Sequence, residues 1–398
     1  MRIAVVADPF VSIPPKKYGG IEQVIYNSIK GLLELGHEPI LLAAGDSDVP
    51  CELIPVTPQA VSFASSRADM AAHNRKVIKI AKNTEAILQK LIKHKRIDLI
   101  HSHVSATNSP FDIRRFKHFP NVTTLHNPIR FDEIEYYKRR YDINYISISK
   151  NQQEAFPELN YVGVVYNGEN PAEFPVIEKP DDYVCFLGRF DRQKNPHLAI
   201  MLAISLGIPI KVAGKVDHAS EGYFVEEVEP YFSHPLVEYL GELDFEEKID
   251  VLSRARVNLH PTGFREPFGL TVLEAAYCGT PTLAIAKGAL PELIEDGRTG
   301  LLTEDFIEGY TKLRECLEMD RSYIAKRARA LFNYKTMAEQ YVKAYEVALE
   351  RYAISREREK IFQGLTKRAK EELEEIWQRR PQRLTANDTS ESEPIFGS

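Results

Sequence analysis

The chain has 398 residues, of which 43% are hydrophobic and 27% are charged, and its formal net charge is −6 at pH 7. This size is sufficient for two domains with buried cores, and the negative charge disfavours the broad basic surface that nucleic acid requires. The four cysteines show no C-x-x-C spacing, which argues against a zinc site or a disulfide framework and fits a reducing, cytoplasmic setting. No apolar stretch approaches the ~18–20 residues of a membrane-spanning helix.

Short apolar runs alternate with helical patterns from the N-terminus onward. Several runs are continuously apolar, which is typical of parallel strands buried on both faces. The strands predicted in the first half are 2–7, 39–44, 98–103, 122–126, 144–149 and 163–167. The helices predicted between them include 21–35 and 68–95.

The pattern restarts after a Pro- and acid-rich stretch at 171–182. The strands predicted there are 183–188, 210–214, 237–241, 256–261 and 281–286, with helices at 195–206 and 306–318. We therefore predict an α/β protein of two Rossmann-like domains, 1–172 and 173–333, that face each other across a cleft. Ligands of such sheets bind beyond the carboxyl ends of the strands.

The C-terminal segment is predicted to form helices, 334–380, followed by a disordered tail, 381–398. Residues 334–352 form an amphipathic pattern. The next stretch, 354–377, places five apolar residues on one face: Ile361, Leu365, Ala369, Leu373 and Trp377. Its mixed charges favour packing or self-association over the alternative of a membrane-surface helix.

The sequence "FLGRFDRQKNPHLAI" places two cations between a strand and a helix. Arg189 and Lys194 follow the predicted strand, and Asn195 is a candidate cap for a helix with Pro196 at its first position. Cations beside a helix N-terminus form a site for an anion such as a diphosphate. A solvated loop with ordinary surface charges is an equally good interpretation of this pattern alone.

The sequence "REPFGLTVLEA" places two glutamates around another helix start. The backbone N–H groups near Phe268, Gly269 and Leu270 are free to bind oxygens. Glu274, inside the helix, is a candidate to accept hydroxyls of a ribose, and Glu266 those of a different group. The alternative is that both carboxylates only favour the helix N-terminal half electrostatically.

Two further groups point to a polar pocket in the first half. Gly19 and Gly20 precede a long helix, where glycine permits close approach of the backbone to a ligand. His101, His103 and His126 lie at strand ends, and a zinc site there lacks Cys or Glu support.

The Asp46-Ser47-Asp48 sequence matches the D-x-D pattern of metal-dependent sugar transferases. Asp and Ser are ordinary turn formers, and this stretch follows a predicted strand. We interpret it as a turn and predict no metal site.

Taken together, "YGGIEQV", "GRFDRQKNP", "EPFGLTVLEAAYCGTP" and "GALPELIEDGRTGLL" resemble the retaining glycosyltransferases of the GT-B fold, family 4. The resemblance covers residues 1 to about 350. Each motif alone is weak, but the combination is highly specific. It implies a metal-independent hexosyltransferase that needs no cofactor and uses a nucleotide-diphosphate sugar, with UDP-glucose the commonest donor, and a hydroxyl acceptor.

The resemblance also implies roles for the matched residues. Arg189 and Lys194 are expected to hold the diphosphate, Glu274 the ribose, and Glu266 with the loop amides of Phe268, Gly269 and Leu270 the sugar and phosphate. The other expected contacts are Gly19 and Gly20 with the diphosphate and acceptor, His126 with the donor sugar, Gly241 with the base, and His103 and Glu22 with the acceptor.

Three alternatives stay open from the sequence: a nucleotide-sugar epimerase on the same fold, a sugar phosphorylase, or a non-catalytic protein that binds a sugar or nucleotide. A phosphorylase would accept inorganic phosphate as a substrate without a nucleotide, which distinguishes it from the other two. The predicted location is the cytoplasm, with peripheral contact at the inner face of the membrane through 354–377 as the alternative to self-association.

Overall fold

The protein is described by a computed structural model that covers residues 1–17, 19–61, 67–105, 109–130, 133–140, 142–365 and 367–378. The chain divides into two compact units, Met1–Leu349 and Glu350–Ser398. The first unit contains two parallel β-sheets. The described residues of the second unit belong mainly to two helices.

The first sheet is formed, within the described residues, by seven parallel strands: β1 (Arg2–Val6), β2 (Glu38–Ala44), β3 (Glu52–Thr57), β4 (Leu99–Ser102), β5 (Asn121–Leu125), β6 (Tyr145–Ser147) and β7 (Tyr161–Val164). Their order is β3-β2-β1-β4-β5-β6-β7. The register pairs Val5 of β1 with Leu41 of β2 and with His101 of β4. The winding direction therefore changes between β1 and β4, where doubly wound sheets bind ligands.

The second sheet repeats this arrangement with six described strands: β8 (Val184–Leu187), β9 (Ile210–Ala213), β10 (Val237–Tyr239), β11 (Asn258–His260), β12 (Thr282–Ile285) and β13 (Gly300–Thr303). Their order is β10-β9-β8-β11-β12-β13, and all described pairs are parallel. Its switch point lies between β8 and β11.

The helices that the structure describes are α1 (Gly20–Glu34), α2 (Arg67–Lys93), α3 (Ile134–Lys138), α4 (Lys150–Glu154), α5 (Pro196–Ser205), α6 (Glu221–Tyr223), α7 (Phe245–Arg254), α8 (Leu270–Tyr277), α9 (Leu290–Leu293), α10 (Gly309–Cys316), α11 (Arg321–Leu331), α12 (Tyr334–Gly364) and α13 (Lys367–Gln378). Side-chain caps define the starts of α4, α7 and α11. In α7, for example, Asp244 accepts from the Glu247 N–H at 2.9 Å while Glu247 accepts from the Asp244 N–H at 3.0 Å.

Both faces of each sheet are covered by apolar side chains from the helices. On the first sheet, α1 and the first half of α12 pack on one face and α2 on the other. On the second sheet, α7 and α8 cover one face and α5 and α10 the other. The contact of α12 with the first sheet includes the buried side chains of Tyr341 and Tyr345. Burial on both faces is why the strands are continuously apolar rather than alternating.

The predicted fold class is confirmed: the protein has two parallel sheets in a two-domain α/β architecture. Every predicted strand has a counterpart, but β3 and β13 were not anticipated. In the C-terminal segment, α12 continues through 353 and ends at Gly364, and α13 follows. The predicted tail, 381–398, and the side chain of Trp377 lie outside the described residues.

None of the described helices combines the length and the apolar character needed to cross a membrane.

Candidate active site at the two switch points

The loops after β8 and β11 bring together two residues that the sequence predicted to bind the donor, Lys194 and Glu266. Lys194 forms an ion pair with Glu266, although they are far apart in the sequence. Arg189 follows the end of β8 and lies 3.3 Å from Asp191 and 3.6 Å from Asp217. The Arg189 side chain is 33% exposed, whereas Lys194 is 14% exposed. Lys194 is therefore the more sheltered cation.

The loop after β8 leads into α5 at the predicted position, with Asn195 as the N-cap residue and Pro196 at the start of the helix. Asn195 has a φ of 50°, however, and its side chain makes no capping bond to the helix. Its amide instead donates to the Pro261 carbonyl at 3.0 Å. Asp191 accepts from the Lys194 N–H at 2.9 Å and fixes this loop. Asn195 thus ties the loop after β8 to the loop after β11.

A buried histidine completes the charged cluster. The Nε2 atom of His260, at the end of β11, lies 3.6 Å from a Glu266 carboxylate oxygen. Burial alone would raise the pKa of Glu266, but the Lys194 ammonium and His260 outweigh it and lower that pKa to about 2. Burial also lowers the pKa of His260. Glu266 is therefore an ionised carboxylate at neutral pH.

The N-terminus of α8 lies directly after Glu266. Gly269 has a φ of 103°, which favours glycine, and it is the residue before the first helical turn. The N–H groups of Leu270 and Thr271 have no acceptor within the helix and are suited to an anion, whereas the Val272 N–H already donates to the Gly269 carbonyl at 3.0 Å. The Phe268 side chain is buried among Tyr166 and Phe332, so only its backbone is available to a ligand.

The Gly-Gly turn of the first domain meets this helix end. A methyl group at Gly20 would lie 2.9 Å from Leu270 Cδ1, and one at Gly19 would lie 3.0 Å from a Glu22 carboxylate oxygen. The N-termini of α1 and α8 are thus neighbours. Ser149 adds a second contact between the domains, because its hydroxyl donates to the Pro267 carbonyl at 2.8 Å.

Glu274 lies one turn into α8 and is almost fully buried. It forms an ion pair with Lys248 of α7. Burial would lower the pKa of Lys248, but Glu274 and Glu169 reverse the effect and raise it. Glu274 is therefore held by a cation rather than lying free at a helix end.

Gly241 occupies the loop after β10, the edge strand next to β9. It has a φ of 72°, and its carbonyl accepts from the Gly214 N–H at 2.8 Å. A positive φ of this size favours glycine.

Imidazoles line the corresponding edge of the first sheet. His103 Nδ1 lies 2.8 Å from His126 Nε2, so one of the two rings donates a proton to the other. Burial lowers the pKa of His126 to about 4 and that of His103 well below its usual value, so both are neutral at pH 7. The third ring, His101, is bonded to Tyr345 and Thr124 at 2.7 Å each and is a structural residue.

Two carboxyl groups of the first domain, Glu22 in the first turn of α1 and Asp8 after β1, interact electrostatically. Burial raises the pKa of Glu22 and raises that of Asp8, after β1, to about 7, with Glu22 adding to the effect on Asp8. One Asp8 oxygen accepts from the Ser105 N–H at 3.1 Å, and the other has no hydrogen-bond partner among the described residues. Asp8 was not singled out in the sequence.

Asp46 lies in the turn between β2 and β3, where its carboxylate accepts from the Ala60 N–H at 2.9 Å. Among the described residues, no group of three or more His, Cys, Asp or Glu side chains is arranged to hold a metal ion.

Comparison with known proteins identifies the chain. Residues 18–157 match the family model described as Glycosyltransferase Family 4, and residues 169–330 match that described as Glycosyl transferases group 1. The chain is a GT-B nucleotide-sugar glycosyltransferase of the family 4 type. In this glycosyltransferase the second matched range contains all six described strands of the second sheet, and the first contains β2 to β6 of the first sheet.

Individual relatives agree with the family. The glycosyltransferase is 22% identical over 401 residues to the glycogen synthase of Mycobacterium tuberculosis (strain CDC 1551 / Oshkosh), covering 87% of this chain and 95% of that protein. Its fold is similar to that of sucrose-phosphate synthase from Thermosynechococcus elongatus, with a TM-score of 0.66, 20% identity and coverage of 87% and 98%. It is also similar to Anabaena HepE in complex with UDP and glucose, with a TM-score of 0.64, 18% identity and coverage of 87% and 99%.

Four residues of the glycosyltransferase's site region escaped the sequence interpretation. They are Asp8, Glu169, Lys248 and His260. Asp8 and His260 had a usable signal, because each lies at or just after the end of a strand at a switch point. Lys248 and Glu169 had none, since their contacts with Glu274 depend on the packing of α7 and of the loop after β7.

Proposed function

We propose that this glycosyltransferase moves a hexose from a nucleotide-diphosphate sugar, UDP-glucose or a close analogue, to a hydroxyl acceptor with retention of configuration. The observation that carries the proposal is the convergence of Lys194, Glu266 and the N-terminus of α8 against the Gly-Gly turn. This arrangement supplies a cation and free N–H groups at one point. It suits a group that gains negative charge as the reaction proceeds.

Charge on the departing diphosphate is stabilised from two sides in this mechanism. Lys194 supplies a sheltered ammonium, and the first turn of α8 supplies N–H donors and the positive end of the helix dipole. Arg189 supplies a second cation nearer to solvent. Low local exposure strengthens each interaction, because water screens it less.

The ion pair between Lys194 and Glu266 has a role in this mechanism. Glu266 holds the ammonium in the site in the absence of an anion, so little reorganisation is needed when the diphosphate arrives. Once the phosphate engages Lys194, Glu266 can accept hydrogen bonds from hydroxyl groups of the transferred sugar. Glu274 takes the corresponding role towards the ribose.

The transfer step breaks the bond between the anomeric carbon and the β-phosphate oxygen. The acceptor oxygen forms its bond to that carbon on the face from which the phosphate leaves. The acceptor proton passes to the departing phosphate oxygen, so the step requires no side-chain base. His126, oriented through its bond to His103, contacts the sugar in this proposal.

The acceptor binds on the side of the first domain, near His103 and Glu22. The base of the donor lies against the backbone near Gly241. We propose UDP as the nucleotide, and the complex of HepE with UDP and glucose supports this choice by fold similarity.

A donor panel tests the proposal. UDP-, GDP- and ADP-glucose are supplied with a set of hydroxyl acceptors, nucleotide release is followed, and the anomeric configuration of the product is determined by NMR. We expect the fastest release from UDP-glucose and an α-linked product. A β-linked product would contradict retention, and release from GDP- or ADP-glucose alone would contradict the choice of base.

We further propose that transfer requires no divalent metal and no cofactor, and that the protein acts in the cytoplasm. EDTA is expected to leave the rate nearly unchanged, and so is Asp46→Ala, because the Asp46 carboxylate is engaged in a turn. A rate restored only by added Mg²⁺ or Mn²⁺ would contradict this.

For residues 354–377 we propose self-association rather than peripheral membrane contact. Sedimentation of the full chain, with and without vesicles, separates the two.

A further inference from the structure

A buried carboxyl group lies behind the residue assigned to the ribose. Glu169, in the loop after β7, is 0% exposed. Neither of its carboxylate oxygens has a hydrogen-bond partner among the described residues. An ionised carboxylate in such surroundings is strongly disfavoured, so its place next to a proposed binding site needs a chemical reason.

The backbone fixes Glu169 in this position. Its N–H donates to the Tyr277 hydroxyl at 3.1 Å, and its carbonyl accepts from the Tyr334 N–H at 3.0 Å. The preceding Gly168 lies so close to Asn333 that an added methyl group would be 2.4 Å from the Asn333 carbonyl. The loop therefore cannot swing the carboxyl group out to solvent without breaking these contacts.

Glu169 faces a second carboxylate and one cation. Burial and the adjacent Glu274 carboxylate raise the pKa of Glu169 to about 8, against the opposing effect of Lys248. Two carboxylates are both acceptors, so their contact becomes a hydrogen bond only when one of them holds a proton. Lys248 already pairs with Glu274, which favours the ionised form of Glu274. The proton of the two carboxyl groups is therefore held by Glu169.

We propose that Glu169 is a positioning residue of the donor site: as a neutral acid it donates a hydrogen bond to Glu274 and, with Lys248, fixes that carboxylate to receive the two hydroxyls of a ribose. This inference rests on the proposed function, which assigns the ribose to Glu274. A carboxylate accepts about four hydrogen bonds. Lys248 and Glu169 occupy two, which leaves two for a cis-diol.

Other titratable groups also surround Glu169. Tyr277 lies on the same helix as Glu274, and Glu173 lies in the turn that follows Glu169. Glu173 is partly exposed and lies 3.6 Å from Lys30. Glu173 therefore provides a matched control for the loss of one carboxylate near Glu169.

Ionisation of Glu169 places two negative charges against each other and removes the donated bond. UDP affinity is therefore expected to fall as the pH rises through about 8. Glu169→Gln keeps the size and a donating amide but cannot ionise. Between pH 7 and pH 9 the wild type should lose about tenfold more UDP affinity than this variant, because ionisation of the ligand contributes equally to both.

Isothermal titration calorimetry of UDP against the full chain at pH 7 and pH 9 tests the inference, with GDP and ADP as further probes. Glu173→Gln should retain the wild-type pH profile. Proton exchange, measured in buffers of different ionisation enthalpy, requires no variant. Near pH 8 the wild type should take up a fraction of a proton from the buffer, onto Glu169, on binding UDP.

The outcomes separate this inference from the function on which it rests. If Glu274→Ala weakens UDP but the wild type and Glu169→Gln share one pH profile, the role of Glu169 is overturned alone. If the wild type takes up no proton on binding UDP, the role of Glu169 is likewise overturned. This measurement decides the question even if Glu169→Gln does not fold. If Glu274→Ala binds UDP normally, or if no nucleotide diphosphate binds, the proposed donor site is overturned as well.

Discussion

At the scale of single residues, the site depends on charges that are sheltered but paired. Lys194 and Glu266 neutralise each other in a place where either charge alone would be costly, and Lys248 and Glu274 do the same one helical turn further on. Such pairs keep charged groups ready for a charged ligand without leaving them unpaired. Replacing one member of a pair should therefore change two separate quantities, the free energy of unfolding and the rate of transfer.

Lys194→Ala should lower kcat/KM, with a loss of transition-state stabilisation of about 2–4 kcal/mol, because it removes the sheltered cation that stabilises the departing diphosphate. The same change leaves Glu266 buried without its cation, so some loss of stability is also expected. Steady-state kinetics with thermal unfolding as a control separate the two effects. Normal turnover by Lys194→Ala combined with Arg189→Ala would contradict the assignment.

The depressed pKa of Glu266 predicts how stability depends on pH. A carboxyl group whose folded pKa is about 2, against an ordinary value of 4.5, contributes stability above pH 4.5 and loses it as the pH falls towards 2. The wild type should exceed Glu266→Gln by about 3 kcal/mol at pH 7. The difference should shrink below pH 4.5. Urea unfolding at several pH values measures it, and a difference that does not depend on pH would disprove the ion-pair account.

The bond between His103 and His126 predicts a positioning effect. Replacing His103 with Phe keeps a ring but removes the nitrogen that contacts His126. The turnover number should fall on the order of 10- to 100-fold, as for a misplaced catalytic group, while UDP affinity stays unchanged. Partial recovery in His103→Gln, which restores a polar partner, would support the role. A change confined to UDP affinity would contradict it.

At the scale of the elements, strand and helix positions follow from short-range patterns, whereas the site contacts do not. The continuously apolar run "VCFL" of β8 predicts a parallel strand that is buried on both faces. The strand β3, "ELIPVT", contains Pro55, has partly exposed residues and lies at the edge of its sheet, so its pattern is weak. The local sequence around Glu169, "YNGEN", predicts an ordinary turn and gives no sign that this side chain is buried. Its burial results from α8 and from the start of α12, which are distant in sequence.

The helix α1 carries two glycines whose neighbours predict opposite results. A methyl group at Gly31 would lie 2.6 Å from Ala338 Cβ and 2.7 Å from the Tyr334 carbonyl oxygen, and that backbone is part of α12. Gly31→Ala should therefore destabilise the protein by about 1–3 kcal/mol. Gly20→Ala meets only the end of the Leu270 side chain, so it is the matched control and should cost less. Chemical denaturation compares them, and equal losses would refute this view of the packing.

At the scale of the whole molecule, the sheet order explains why the site lies where it does. Both sheets change winding direction next to their first strand, so the ends of β1 and β4 and of β8 and β11 are the natural ligand positions. The tandem domains, their parallel sheets and the family could be predicted from sequence motifs. The partners of Glu266 and Glu274 could not be, because they come from α5 and α7 and their surroundings only when the second domain has folded.

The central claim is that the two glutamates divide the donor, with Glu274 on the ribose and Glu266 on the transferred sugar. Calorimetric titration of free UDP into the wild type, Glu274→Ala and Glu266→Ala tests it most directly, with transfer kinetics on the same samples. Glu274→Ala should weaken UDP. Glu266→Ala should leave UDP affinity unchanged or raise it, since Lys194 loses a competing partner, yet it should lower kcat/KM by about 2–4 kcal/mol. Equal weakening of UDP by both variants, or full activity in both, would contradict the account.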